Sequence, residues 1–115
     1  MANDRMRRVD EAVRQVLTDA VAQDLQDPRI GFVTMTSVKT TPDLRHARVY
    51  VSVLGNAEQR EATLAGLASA HGALQRRLAR DLRLKRTPTL EFFYDDTTDR
   101  AMRMQQIMER EAREA

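Results

Sequence analysis

The first half of the chain alternates between a helical and a strand-like spacing of apolar residues. A period of about 3.6 residues runs through the first 25 positions along a single face, which predicts an amphipathic helix that Asp27 and Pro28 end. Residues 32–39 and 45–54 then alternate with the period of two that is typical of strands. The short connection between them carries Pro42 at a turn position, so the two strands are predicted to pair as an antiparallel hairpin.

The second half begins with a helical pattern that is interrupted and then resumes. Residues 58–70 form the first piece, and the second continues to about Leu84. A glycine inside a helical pattern costs about 1 kcal/mol relative to alanine and usually marks a kink or a close approach of backbones. Residues 90–95 then predict a third strand, and a last helix follows. The predicted kink consists of Ala70, His71 and Gly72.

Strict alternation assigns the residues of the strands to two faces. In the first strand it places Val33, Met35 and Ser37 on one face and Thr34, Thr36 and Val38 on the other. The second strand has an apolar face of Ala47, Val49, Val51 and Val53. Helices and strands of this length share one core, so we predict an α+β fold with a three-stranded sheet covered by helices on one face.

The length of 115 residues predicts one domain. We expect it to span residues 1–108, because residues 109–115 are charged, lack an apolar anchor and should form a frayed tail. Three methionines of the last helix, Met102, Met104 and Met108, are interpreted as core residues rather than as a groove for a partner.

Charge is segregated along the chain. The whole chain has a formal net charge of only +2, but residues 76–86 contain six cations and a single anion, Asp81. Such segregation is required of a phosphate-binding face, although a solvated helix surface has the same composition. The candidate RNA-binding residues are Arg76, Arg77, Arg80, Arg83, Lys85 and Arg86, with Arg76, Arg80 and Arg83 at the i, i+4 and i+7 positions of one helical stripe. A second candidate patch comprises Arg5, Arg7 and Arg8.

Several kinds of chemistry find no support in the sequence. There is no cysteine and there are only two histidines, His46 and His71, so we expect no metal site. Asp95, Asp96 and Asp99 are interpreted as a strand end and a helix cap rather than as catalytic carboxylates. No nucleotide-binding loop or catalytic triad is present, so we expect no enzymatic activity and no cofactor. Without a signal peptide or a long apolar run, the protein is expected to be soluble and cytoplasmic.

Short strings along most of the chain, from about Met6 to Ile107, resemble the ribosome-binding factor A family. The matching strings are Arg8-Val9, Asp27-Pro28-Arg29, Val33-Thr34, Asp43-Leu44, Ala47-Arg48-Val49-Tyr50-Val51-Ser52, Leu82-Arg83-Leu84-Lys85, Pro88 and Leu90-Glu91-Phe92-Phe93-Tyr94-Asp95. The Ala70-His71-Gly72 interruption resembles the alanine-any-glycine kink that replaces the glycine loop of KH domains in that family. The resemblance implies a type II KH-like domain.

The resemblance also implies a function. Members of the family associate with the free 30S small subunit and assist late maturation of 16S rRNA, including its 5′ end, and they matter most for growth in the cold. The implied partners are 16S rRNA and the 30S subunit, bound by a monomer. Two other functions stay open from the residues alone: a KH-like structural ribosomal protein, and a homodimeric interaction module without RNA binding.

Overall fold

The computed structural model describes residues 2–114. Met1, at the start of the predicted 1–108 domain, and Ala115, at the end of the 109–115 tail, lie outside the described residues. The element order confirms the predicted α+β class with its terminal helix. The elements are α1 (Ala2–Asp24), β1 (Val33–Thr40), β2 (His46–Val53), α2 (Ala57–Ser69), α3 (His71–Leu82), β3 (Thr89–Tyr94) and α4 (Thr97–Glu114).

The three strands form one sheet in the order β1-β2-β3. β1 and β2 pair antiparallel, as the hairpin prediction required, whereas β3 joins β2 in parallel after the two-helix crossover. The apolar face of β2 is buried against three helices. The helices contribute Val13, Leu17 and Ala20 from α1, Leu67 from α2, and Leu74 and Leu78 from α3. Each large apolar side chain buried here stabilises the fold by about 1.5–3 kcal/mol, which fixes the helices on one face of the sheet.

A β-bulge at Thr36 changes the faces of β1. Met35 pairs with Val51 and Ser37 pairs with Tyr50, so Thr36 is an extra residue on this strand. The Thr36 hydroxyl lies 2.7 Å from Asp95 Oδ2 and 3.1 Å from the carbonyl oxygen of Tyr50. The faces predicted for Ser37 and Val38 are therefore wrong, because one inserted residue moves Val38 into the core and Ser37 to the outer face.

The connection between α1 and β1 packs on α2. Asp27 closes its turn by accepting hydrogen bonds from the backbone and the guanidinium of Arg29. The buried Thr63 hydroxyl of α2 accepts a bond from Gly31 N at 3.2 Å and donates to the Arg29 carbonyl at 3.3 Å. One turn further, Gly66 lies against the side chain of Ile30. Two polar contacts and one tight apolar contact thus fix this connection.

The interrupted helix breaks at Ala70, which belongs to neither α2 nor α3. Its φ and ψ of −85° and 4° end α2, and its N–H donates to the carbonyls of Gly66 and Leu67. Its own carbonyl accepts the Leu74 N–H at 3.0 Å and so starts α3. Ala70 changes the direction of the chain without leaving these backbone groups unpaired.

The beginning of α3 is attached to the beginning of β3. His71 Nε2 accepts the Leu90 N–H at 3.4 Å, and Gln75 Nε2 donates to the Pro88 carbonyl at 2.9 Å. His71 is half-buried in this position. These contacts orient α3, whose exposed side carries Arg76 and Arg80.

Helix α4 is attached to the domain near its start. Tyr94 donates its hydroxyl to Asp99 at 2.7 Å, and Arg60 lies 3.5 Å from the same carboxylate with its guanidinium over the Tyr94 ring. No residue of α4 is buried, and Met102, Met104 and Met108 are 57%, 58% and 62% exposed. The interpretation of these methionines as core residues is wrong, because α1, α2 and α3 already cover the inner face of the sheet.

The far end of α4 is helical as far as Glu114. The expectation that residues 109–115 fray outside a 1–108 domain stays a prediction. Among the helices of residues 2–114, none combines the length and the apolar character that crossing a membrane requires.

Candidate nucleic-acid interface

Helix α3 divides its side chains between the core and the solvent. Leu74 and Leu78 are fully buried one turn apart, so they fix which side of the helix faces the body of the protein. Arg76 and Arg80 are also one turn apart and are exposed on the other side. The helical spacing predicted from the sequence thus gives two exposed arginines on one side of α3.

Arg77 is bound by the protein's own polar groups. Its Nε lies 2.6 Å from Asp81 Oδ2, its Nη1 lies 2.8 Å from Asp24 Oδ2, and its Nη2 donates to Gln23 Oε1 at 2.9 Å. Only 12% of the side chain is exposed, and the two carboxylates raise the pKa of Arg77 above its ordinary value. Arg77 therefore joins α3 to the end of α1 and has little surface left for a ligand.

Arg80 shares a carboxylate with Arg77 but remains accessible. Its Nε lies 3.1 Å from Asp81 Oδ1, while 70% of its side chain is exposed. The hydrogen bond from Arg77, followed by the one from Arg80, lowers the pKa of Asp81. Exposed ion pairs contribute little to stability, so a phosphate can replace Asp81 as the partner of Arg80 at small cost.

The predicted stripe ends earlier than expected, because α3 stops at Leu82 rather than near Leu84. Arg83 caps the helix in the left-handed region, with φ 51° and ψ 44°, and therefore does not occupy the i+7 position of a continuous helix. Lys85 and Arg86 follow in the exposed connection to β3, which half-buried Leu84 attaches to the core.

The accessible cations of α3 and of the connection that follows it, five in all, are here called the basic cluster. Within the described residues, Arg80 is the only member of this set with an ion-pair partner. The charged groups of the other four have no carboxylate partner among residues 4–114, which leaves them available for contacts with phosphate. The basic cluster comprises Arg76, Arg80, Arg83, Lys85 and Arg86.

The N-terminal arginines form a separate patch. Arg5, Arg7 and Arg8 are exposed in the first turns of α1, and Arg7 lies 3.4 Å from Asp4. α3 contacts the other end of this helix, at Asp24. At a rise of 1.5 Å per residue, Arg7 and Asp24 are about 26 Å apart along α1. The structure thus does not bring these residues together with Arg77 and its neighbours.

Sequence reasoning missed the two residues that bind Arg77. Asp24 and Gln23 lie 53 and 54 positions away along the chain, and no local pattern connects them to α3. The i, i+4 spacing of Arg77 and Asp81 was the only available sign that this arginine has an internal partner. The described residues also contain no cluster of three or more His, Asp or Glu side chains arranged to hold a metal ion.

Comparisons with known proteins agree on one family. The family model for ribosome-binding factor A matches residues 5–108. A ribosome-binding factor A of Anaeromyxobacter sp. (strain K) is 47% identical over 112 residues, which cover 96% of this chain and 80% of the relative. One of Geobacter sulfurreducens is 41% identical over 104 residues, covering 90% of this chain and 88% of the relative.

A solved structure and a fitted one have the same fold. A homology model of the Thermus thermophilus protein, fitted into the cryo-EM map of a 30S–RbfA complex, is similar with a TM-score of 0.63 and 30% identity over 75% of this chain and 90% of that one. The crystal structure of ribosome-binding factor A from Thermus thermophilus is similar with a TM-score of 0.69 and 29% identity, over 77% of this chain and 93% of that one. With its element order, its interrupted helix and these sequence matches, the chain belongs to the ribosome-binding factor A family.

Proposed function

We propose that the protein is a ribosome assembly factor that binds the free 30S small subunit and assists late maturation of 16S rRNA, including processing of its 5′ end. The fitted complex of the Thermus thermophilus relative with the 30S subunit supports the choice of partner. The basic cluster supports rRNA as the molecule that is contacted.

The proposal rests on a difference between two adjacent arginines in their carboxylate partners. Arg77 is held by Asp24 and Asp81, whereas Arg76 beside it has no carboxylate partner within the described residues. A cluster that served only the stability of the fold would engage its members as Arg77 is engaged. Unpaired arginines with planar, five-donor guanidinium groups are suited to bidentate contact with phosphate oxygens.

The mechanism is differential binding. A protein that only binds can shift an rRNA conformational equilibrium by no more than its difference in affinity for the two states. The factor would therefore hold the small subunit in a conformation that presents phosphates to the basic cluster. It would be released when maturation removes that arrangement.

The salt dependence of binding to purified 30S precursors tests the contact. Neutralising four to six phosphates gives a slope of log K against log salt on the order of −3 to −5. Replacing Arg76, Arg80 and Arg83 together with alanine should make the slope shallower by about 2 to 3. The matched control replaces three exposed arginines of α4, Arg103, Arg110 and Arg113, and so removes the same charge. An equal change in both variants, or no change in either, would reject the basic cluster as the contact.

A cellular assay tests the processing step separately. In cells that lack this gene, we expect 16S rRNA precursors with unprocessed 5′ ends to accumulate, most strongly in the cold. The wild-type gene and the α4 control should restore mature ends, whereas the α3 triple variant should not. Normal 5′ ends in the deletion strain would contradict the processing role while leaving subunit binding intact.

The apolar surface of α4 favours one alternative, a homodimeric module without RNA binding. Met104, Ile107 and Met108 are all more than half exposed. One helix face of this kind is small beside the roughly 1,200–2,000 Å² that stable interfaces bury, so we propose a monomer. Light scattering across a concentration series decides the matter. A dimer that binds no 30S precursor at low salt would establish the alternative.

A further inference from the structure

The outer face of the sheet has an aromatic pair at its centre. Helices α1, α2 and α3 cover the inner face, and the first turn of α4 borders the outer one. The bulge at Thr36 places Ser37 beside Tyr50 on this outer face. Tyr50 in turn neighbours Phe93 on β3. The two ring centroids are 5.7 Å apart with an interplanar angle of 30°, and Phe93 is 38% exposed. Two adjacent aromatic rings on an otherwise polar face offer a surface on which flat ligands can stack.

The adjoining row of the same face carries two cations. Lys39 on β1 and Arg48 on β2 are directly opposite each other, a placement of like charges that destabilises a sheet. Both are exposed, and within the described residues neither forms an ion pair or a side-chain hydrogen bond. Successive rows on one face lie about 7 Å apart along the strands, a distance that a sugar spans between its base and its phosphate.

Acidic residues lie at both edges of this face. Beside β1, Asp10 and Glu11 line a cleft with Lys39. Glu91 occupies the β3 position beside Arg48. Asp95 accepts hydrogen bonds from the hydroxyls of Thr36 and Thr97, and Asp96 lies 2.9 Å from Arg100. The opposed Lys39 and Arg48 would hold the backbone of an anionic ligand over β1 and β2, and its flat groups would extend towards Phe93.

We propose that this face, centred on Tyr50 and Phe93 with Lys39 and Arg48 beside them, is a second RNA-contact surface that binds unpaired bases of single-stranded RNA. Exposed bases stack on aromatic side chains, whereas a duplex hides the faces of its bases, so the surface selects unpaired segments. The identity of the ligand as RNA rests on the proposed function. The contact itself does not, because it uses the opposite side of the molecule from the basic cluster.

The first test measures binding of the full chain to a fluorescein-labelled, uridine-rich oligoribonucleotide by fluorescence anisotropy. Phe93→Leu keeps an apolar side chain but removes the aromatic face, and it should weaken binding about tenfold. Lys39→Gln and Arg48→Gln should each make the salt slope shallower by about 0.7. The control is Arg110→Gln near the end of α4, which removes one exposed charge that does not line the cleft of this face. Thermal unfolding of each variant shows whether the fold is retained.

A second measurement reports on the ring directly and keeps the proposal testable if a variant misfolds. The chain has no tryptophan and two tyrosines, so Tyr94→Phe leaves Tyr50 as the only strong intrinsic fluorophore. Single-stranded RNA should quench the fluorescence of this variant, and a hairpin with a short tetraloop should not.

The outcomes separate this proposal from the function above. If Phe93→Leu binds the oligonucleotide as the wild type does, or if Tyr50 fluorescence does not respond, the second surface is refuted. The Arg76/Arg80/Arg83 variant should retain oligonucleotide binding, while its binding to 30S precursors becomes weaker and less dependent on salt. The reverse result, with oligonucleotide binding lost only in that variant, would assign single-stranded RNA to the basic cluster and overturn the proposal.

Discussion

Replacing Gly66 with alanine tests how the α1–β1 connection is held on α2. A Cβ at this position would lie 2.6 Å from Ile30 Cγ1 and 3.5 Å from Arg29 Cβ. Because isoleucine is branched at Cβ and stiff at χ1, Ile30 cannot rotate away cheaply, and the backbone must move. Overpacking of this kind costs about 1–3 kcal/mol, against which alanine regains about 1 kcal/mol of helix propensity.

Gly72→Ala is the matched control, because it makes the same chemical change where there is room. A Cβ there would lie 3.5 Å from Arg76 Nη1, an ordinary contact, and would meet nothing else within reach. Since both variants gain similar propensity, Gly66→Ala should be less stable than Gly72→Ala by about 1–3 kcal/mol.

Thermal unfolding followed by circular dichroism measures this difference. In a domain of this size, a change of 1 kcal/mol in the free energy of unfolding shifts the thermal midpoint by about 4 °C. The midpoints of the two variants should therefore differ by about 4–12 °C. Adding Ile30→Ala to Gly66→Ala should recover part of the loss, because the two changes act at one contact. Equal midpoints for Gly66→Ala and Gly72→Ala would refute the close packing of this connection on α2.

Three further outcomes follow from the contacts described. Thr63→Val should lose about 1–3 kcal/mol in urea unfolding, because the Gly31 N–H and the Arg29 carbonyl lose their partner, whereas Thr63→Ser should lose less. Deletion of residues 104–115 should change the free energy of unfolding by no more than about 0.5 kcal/mol in the same assay, since α4 buries no side chain. The folded state lowers the pKa of Asp81, so this carboxylate stabilises the fold fully above its unfolded pKa and loses that contribution as the pH falls towards the folded value. Urea midpoints from pH 7 to pH 3 should therefore fall less steeply for Asp81→Asn than for the wild type.

Most elements could be predicted from the sequence because their signals are local. Helical and alternating periods depend on neighbours within a few residues, and they located all seven elements and the interruption beside Gly72. The bulge in β1 had a signal that strict alternation overlooked. The apolar residues Val33, Met35 and Val38 are spaced by two and then by three, and the extra position is the one that the bulge absorbs.

Other features depend on contacts that the sequence does not display. The amphipathic pattern of α4 shows that the helix has an apolar side, but it does not show what covers that side. Likewise, Arg76 and Arg77 are adjacent and identical in chemistry, and only the position of Asp24 in space makes one a structural residue. The end of α3 at Leu82 also reflects packing, since Leu82 and Leu84 both reach the core once Arg83 adopts the left-handed conformation.

The anchoring of α3 bears on how the basic cluster can act. The helix is held at its start by His71 and Gln75, along its inner side by Leu74 and Leu78, and in its middle by Arg77. Its exposed arginines therefore project from a rigid element, which lowers the entropy lost when they bind phosphates. The proposed aromatic surface lies on the other layer of the same two-layer domain. A protein that contacts structured rRNA with its helix layer and an unpaired strand with its sheet layer must lie between the two. If both proposed contacts form, the protein would bind only while those RNA segments are held apart, and closure of the gap during maturation would remove one contact and release it.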